Sequence, residues 1–125
     1  MTNSADYLAH LLELMLPTVV TTRAMFGGHG LYIDTVIVAI VIADVLYFKT
    51  DEQNRPAFVD RGLEPFSYVT KESEVHVMSY HRAPDEALDN AVEMANWLRL
   101  AQAAALRRTG APRSGARPRK PRTTA

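Results

Sequence analysis

Cysteine is absent from this chain of 125 residues, so disulfide bridges, thiolate metal sites and cysteine nucleophiles are excluded. Long apolar runs are also missing. The most apolar segment, Val36 to Ala43, has eight residues, whereas a membrane helix needs about 20. The opening apolar stretch is interrupted by Asp6, His10 and Glu13, which is not the pattern of a secretory leader. The absence of cysteine permits a cytoplasmic location, and the sequence predicts no membrane contact.

Acidic residues are missing from the C-terminal part of the chain, since all fourteen lie at or before Glu93. Residues 1–106 contain seven basic and fourteen acidic residues, a net charge of −7, and residues 107–125 carry +7. The seven late cations are Arg107, Arg108, Arg113, Arg117, Arg119, Lys120 and Arg122. No large apolar side chain follows Leu106. This composition predicts one folded domain over 1–108 and a basic, disordered tail over 109–125.

The order of periodic segments predicts an α+β fold. Helical spacing of leucines precedes Pro17, with Asn3 or Ser4 as a possible cap, and alternating β-rich segments follow from Thr18. Thr50 and Gln53 have capping-box spacing for a short middle helix, although Pro56 favours a later start near Asn54. Two more strands and a C-terminal helix complete the pattern. We predict an antiparallel sheet of about five to six strands, with an N-terminal, a middle and a C-terminal helix packed against it.

The segment "RAMFGGHGLY" contains three glycines, Gly27, Gly28 and Gly30. A phosphate-binding loop needs a following Lys and Ser or Thr ahead of a helix, and here a strand-like segment follows instead. The dinucleotide-binding spacing is absent as well. We interpret the three glycines as a structural motif, a turn or bulge with positive φ between two strands, and expect no bound cofactor.

Histidines and tyrosines are the other residues with possible chemistry. His76 and His81 are five positions apart in one predicted strand, so a regular strand points them to opposite faces, and we expect no metal site. Four tyrosines lie in predicted strands: Tyr32, Tyr47, Tyr68 and Tyr80. A row of exposed aromatics can stack single-stranded bases, but strand tyrosines more often fill a core or pair across strands, which is the interpretation we favour.

Four segments, "RAMFGGHGLYID", "LYFKTDEQNR", "EPFSY" and "MSYHRAPDEALDN", resemble in that order the N-terminal domain of the TfoX/Sxy family of competence regulators. The final "WLRLAQAAALRR" is similar to the last helix of that domain, so the resemblance covers about residues 7–108. It implies a stand-alone version of this domain, with an antiparallel α+β fold in a bacterial cytoplasm. Full-length members are linked to transcription of DNA-uptake genes alongside the cAMP receptor protein. The family offers no catalytic residues to carry over.

The sequence and the resemblance together predict a non-enzymatic regulatory or protein-interaction module with unidentified protein partners. No catalytic constellation is recognisable, and we expect neither a cofactor nor a metal. The alternative is a nucleic-acid-associated protein, in which the arginine-rich tail binds DNA or RNA weakly and without sequence preference.

Overall fold

The computed structural model describes residues 5–25 and 27–109, and the fold is α+β with a six-stranded antiparallel sheet, as predicted. The strands lie in the order β1-β2-β3-β4-β6-β5. The helices and strands are α1 (Ala5–Met15), β1 (Thr21–Met25), β2 (Gly28–Ile33), β3 (Val36–Ile42), β4 (Val45–Lys49), α2 (Arg55–Val59), β5 (Pro65–Val69), β6 (Glu74–Arg82), a 3-10 helix (Asp85–Leu88) and α3 (Ala91–Thr109). The proposed cap at Asn3 or Ser4 and tail residues 110–125 lie outside the described residues.

Two tight turns connect the central strands. Asp34 and Thr35 join β2 to β3 with φ of 51° and 71°, and Ala43 and Asp44 join β3 to β4 with φ of 52° and 60°. Positive φ at both central residues is the geometry of a two-residue hairpin loop, and its twist matches that of the flanking strands. Both turns therefore form although neither contains a glycine.

The middle helix follows the later of the two predicted starts. Asn54 is its N-terminal flanking residue and Pro56 lies in its first turn, where no backbone donor is needed. Gly62, with φ of 72°, follows its C-terminal end. The capping box at Thr50 and Gln53 is wrong, because the Thr50 hydroxyl donates to the carbonyl oxygen of Met78 instead.

All the helices pack on one face of the sheet and enclose the core with it. Buried strand residues such as Leu31 and Phe48 meet Leu11 of α1 and Phe58 of α2. The helix α3 contributes Met94, Trp97, Leu98, Ala101 and Ala105. Val92, an apolar residue of α3, is exposed, because the buried face of the helix runs through Met94, Leu98 and Ala101 and Val92 lies two positions before Met94, on the opposite side. Asn90 caps the helix by accepting hydrogen bonds from the backbone N–H groups of Val92 and Glu93.

The three clustered glycines have two different roles. Gly27 lies in the turn between β1 and β2 with φ of 75°, as predicted. The prediction of positive φ is wrong for Gly28 and Gly30, because both are strand residues of β2 that pair with Met25 and Arg23. Space explains Gly28: a Cβ atom there would lie 2.2 Å from the backbone oxygen of Val41 in β3.

Candidate functional site

The face of the sheet opposite the helices carries no helix among the described residues, and we call it the helix-free face. Strand pairing identifies its members, because Gly30, Ile40, Tyr47 and Arg82 are successive partners across β2, β3, β4 and β6. Alternate residues of a strand share a face, and where the register shifts, in β2–β3 and in β5–β6, the pairing itself assigns Ile37 and Val77 to this face. Its members are Thr21, Arg23, Met25, Gly28, Gly30, Tyr32, Ile37, Ile40, Ile42, Val45, Tyr47, Lys49, Phe66, Tyr68, Val75, Val77, Tyr80 and Arg82.

All four strand tyrosines lie on the helix-free face, together with Phe66. The expectation that they fill a core or pair across strands holds through cross-strand pairing for part of the set, and none of the four belongs to the core on the helix side. The rings of Tyr47 and Phe66 meet edge to face with centroids 5.1 Å apart, and Phe66 lies 6.1 Å from Tyr68. Aromatic contacts of this geometry hold the rings in fixed positions on an otherwise uncovered surface.

The charged side chains of the helix-free face are all cationic: Arg23, Lys49 and Arg82. The Arg23 guanidinium lies 5.6 Å from the centre of the Tyr32 ring, and the Lys49 ammonium lies 4.7 Å from that of Tyr80. Glu74 is the only carboxylate within the six strands, and its pairing with Val69 places it on the opposite face. The strands of the helix-free face thus contribute only positive charge to it, while Glu64, which precedes β5, acts electrostatically on Tyr47 and lines a second cavity together with Arg82.

A cavity of about 530 Å³ lies within the helix-free face and is open to solvent. It is lined by Met25 of β1, Ile40 and Ile42 of β3, Phe66 and Tyr68 of β5, and Val77 and Tyr80 of β6. Its size lies within the range of about 300–1,000 Å³ that is usual for small-molecule sites, and its lining of apolar and aromatic side chains is typical of them.

Burial shifts the pKa values of the ionisable groups around this cavity. Desolvation raises the pKa of the Tyr80 hydroxyl and of the Tyr47 hydroxyl, so both remain neutral donors. Desolvation also lowers the pKa of the Lys49 ammonium, and the positive charge of Arg108 lowers it further. Among the described residues, no carboxylate forms an ion pair with Lys49. The face therefore holds a partly desolvated cation beside an apolar cavity.

The two strand histidines lie on the same side of the sheet, so the prediction of opposite faces is wrong. The register of β5 and β6 shifts between Pro65 and Phe66, and the extra residues of β6 turn both histidines toward the helix side. His81 is fully buried there, whereas His76 is exposed beside Glu74, with 3.7 Å between Nε2 and Oε1. Within the described ranges, no three or more His, Asp or Glu side chains group closely enough to hold a metal ion.

Two of the seven predicted nucleic-acid residues lie within the described part of the chain. Arg107 donates two hydrogen bonds to the Asp51 carboxylate, at 2.5 and 2.9 Å, and is thus engaged within the domain. Arg108 is exposed, and its positive charge lowers the pKa of Lys49. The other five, Arg113, Arg117, Arg119, Lys120 and Arg122, lie outside the described residues.

Asp51 connects the end of α3 to the segment before α2 through hydrogen bonds. Its carboxylate accepts hydrogen bonds from Arg107 and from the backbone N–H groups of Gln53 and Asn54. The side-chain amide of Asn54 donates to the carbonyl oxygens of Lys49 and Leu100. The hydrogen bond from Arg107 is the main cause that lowers the pKa of Asp51 to about 2.

We expect Asp51→Asn to lower the free energy of unfolding at pH 7 by about 1–2 kcal/mol, because the charge that favours the folded state is removed. The folded pKa is depressed, so this stabilisation is present above the ordinary value of 3.8 and is lost as the pH falls toward 2. Urea unfolding at pH 7 and pH 2.5 measures it. Glu52→Gln, at an exposed position, is the matched control. An equal loss of stability in both variants would contradict the role of the ion pair between Asp51 and Arg107.

The comparison with protein families matches residues 10–105 to the TfoX N-terminal domain. The chain belongs to this family. The match covers the whole sheet, the second half of α1 and residues 91–105 of α3, and so includes every residue of the helix-free face. A search of the curated proteins with the sequence of this chain found no match. None of its described helices is long and apolar enough to cross a membrane.

Proposed function

We propose that this TfoX-type domain is a non-enzymatic regulatory module that acts by binding, and that the helix-free face is its binding surface. The observation that carries the proposal is the cavity, lined by aliphatic and aromatic side chains whose only polar atoms of note are two tyrosine hydroxyls. Such a lining favours the burial of a ligand's apolar groups away from water. It offers few side chains that could transfer a proton or act as a nucleophile.

The uncovered apolar area supports the same proposal. Tyr68 is 48% exposed at the β5 end of the helix-free face. Apolar patches that a protein leaves in contact with water are frequently functional contact sites, since their burial on binding is favourable. A regulatory role also requires a protein partner, and we propose that one exists in the bacterial cytoplasm.

Photo-crosslinking in the cells that produce the protein tests the binding surface. Replacing Tyr68 with the photoreactive benzoylphenylalanine keeps an aromatic ring on the helix-free face, and the same replacement at exposed Val92 on α3 is the control. We expect illumination to give a discrete covalent adduct at position 68 and none at position 92. A protein partner gives a heavier band, and a small molecule gives a mass increment on the domain. Equal labelling at both positions, or no adduct at 68, contradicts the proposal.

The second candidate function is weak, non-specific binding of nucleic acid through the basic tail. Exposed Arg108 favours it, because it adds a solvent-facing positive charge at the end of α3, directly before the basic tail. The pairing of Arg107 with Asp51 reduces the number of free charges, so the remaining cations carry this candidate function.

A further inference from the structure

The middle of the helix-free face offers a binding site with two chemically distinct parts. One part is the open cavity of about 530 Å³ between β1 and the β5–β6 pair, with Ile40 and Ile42 among its lining residues. The other part is Lys49, whose neighbour in β6 is Tyr80, a residue that lines the cavity. Lys49 does not itself line the cavity, but its ammonium lies 4.7 Å from the centre of the Tyr80 ring, which does.

The charge at this site favours an anion. Lys49 is only partly exposed, and no carboxylate of the described chain pairs with it. Arg23 contributes a second cation on β1, two residues from Met25, which lines the cavity. A partly desolvated cation gains more from an anionic group than an exposed one does, because water screens the attraction less. A neutral apolar ligand would leave Lys49 without a counter-charge.

The same charges argue against a second copy of this chain as the occupant. In a two-fold symmetric dimer each copy presents the same patch to the other. The helix-free face carries three cations and, among its strand residues, no carboxylate. A face-to-face dimer would therefore bring cations near cations while removing water from them, which is unfavourable.

We propose that the cavity binds a small apolar acid, an aliphatic or aromatic carboxylate whose apolar part fills the space around Ile40, Ile42 and Phe66 and whose carboxylate pairs with Lys49. This inference rests on the proposed function, since it names the ligand class of the same binding surface. Lys49 is the specificity-determining residue, and the apolar lining supplies most of the affinity.

Titration of the purified full chain with octanoate and with 1-octanol, followed by amide chemical shifts, tests the proposal. The two probes share one aliphatic chain and differ in charge. We expect octanoate to bind with shifts centred on Ile40, Ile42 and Tyr80, and to bind at least about tenfold more tightly than octanol, as for a charge-assisted hydrogen bond.

Lys49→Met keeps the side-chain length and removes the charge, and Lys71→Met in the turn before β6 is the matched control. We expect Lys49→Met to weaken octanoate binding about tenfold and to leave octanol binding unchanged, while Lys71→Met behaves like the parent. Thermal melting of each variant shows that it is folded.

Three outcomes overturn the proposal. If octanol binds as tightly as octanoate, or if Lys49→Met binds octanoate as the parent does, the site has no specificity for an acid. A concentration-dependent dimer that shields the same amides, with no octanoate binding, assigns the face to a second copy. The crosslinking result at Tyr68 is independent of these titrations, so a face that crosslinks but does not bind octanoate leaves the proposed function standing.

Discussion

Gly28→Val is expected to be the most disruptive of the glycine substitutions, with a loss of about 3 kcal/mol or more in the free energy of unfolding. The Cβ atom would lie 2.2 Å from the backbone oxygen of Val41 and 2.6 Å from Cδ1 of Ile42. The Ile42 side chain can move, but the Val41 oxygen belongs to the neighbouring strand, so β2 and β3 would have to separate. Overpacking that requires backbone shifts costs about 1–3 kcal/mol or more, and urea unfolding measures it.

Two further substitutions separate the effects of space and of backbone conformation. Gly27→Ala keeps the turn free of clashes, since nothing lies within 4 Å of its Cβ position, but it places an L-residue at φ of 75°. Gly30→Ala meets only side-chain atoms, at 3.0–3.3 Å. We expect both to cost about 1 kcal/mol, clearly less than Gly28→Val. If Gly28→Val melts like the parent, close packing of β2 against β3 is not the reason for this glycine.

The same glycines show what the sequence could and could not predict. The local pattern of apolar flanks predicts that the glycines lie between two strands and that a side chain is disfavoured there. The reason at Gly28 does not, because the distance to Val41 depends on the register between β2 and β3. The register at Gly28 is set by the turn at Asp34 and Thr35, whose positive φ values have no glycine signal, and by the register shift between Leu31 and Tyr32.

The helix-free face was also beyond the sequence pattern. β3 reads "VIVAIVI", with no polar residue to distinguish its two faces, so alternation could not show which side the helices cover. In β6 the shift opposite Pro65 and Phe66 breaks the two-residue period, which is why the predicted orientation of His76 and His81 failed. The family resemblance, the α+β class and the order of the elements were predictable, since they depend on local motifs that register does not alter.

His81 is the buried residue for which we expect the strongest pH dependence of stability. Its Nδ1 atom lies 3.0 Å from the Thr50 hydroxyl oxygen, and that hydroxyl donates its proton to the Met78 carbonyl oxygen, so Nδ1–H is the donor of the pair. Nε2 is buried and has no hydrogen-bond partner among the described residues. The ring also lies against Phe58, with centroids 5.9 Å apart. Protonation of Nε2 would thus place an unsolvated positive charge in the core.

Burial, and secondarily the positive charge of Arg55, lowers the pKa of His81 below its ordinary 6.5 in the folded state. The unfolded chain therefore binds more protons than the folded one as the pH falls below 6.5, and stability falls with it. The slope approaches about 1.4 kcal/mol per pH unit until the folded-state pKa is reached, and no further loss from this group follows below that value.

We expect the parent protein to lose unfolding free energy between pH 7 and pH 5, by at most about 2 kcal/mol from this group, measured by urea unfolding at half-unit steps. His81→Asn keeps a donor for Thr50 and removes the titration. It should be less stable than the parent at pH 7, because ring packing against Phe58 is lost, and its stability should be nearly flat over this range. His76→Asn, at an exposed position of the same strand, should keep the slope of the parent. If His81→Asn loses as much stability on acidification as the parent does, another group controls the acid response and the buried, neutral state of His81 is not its cause.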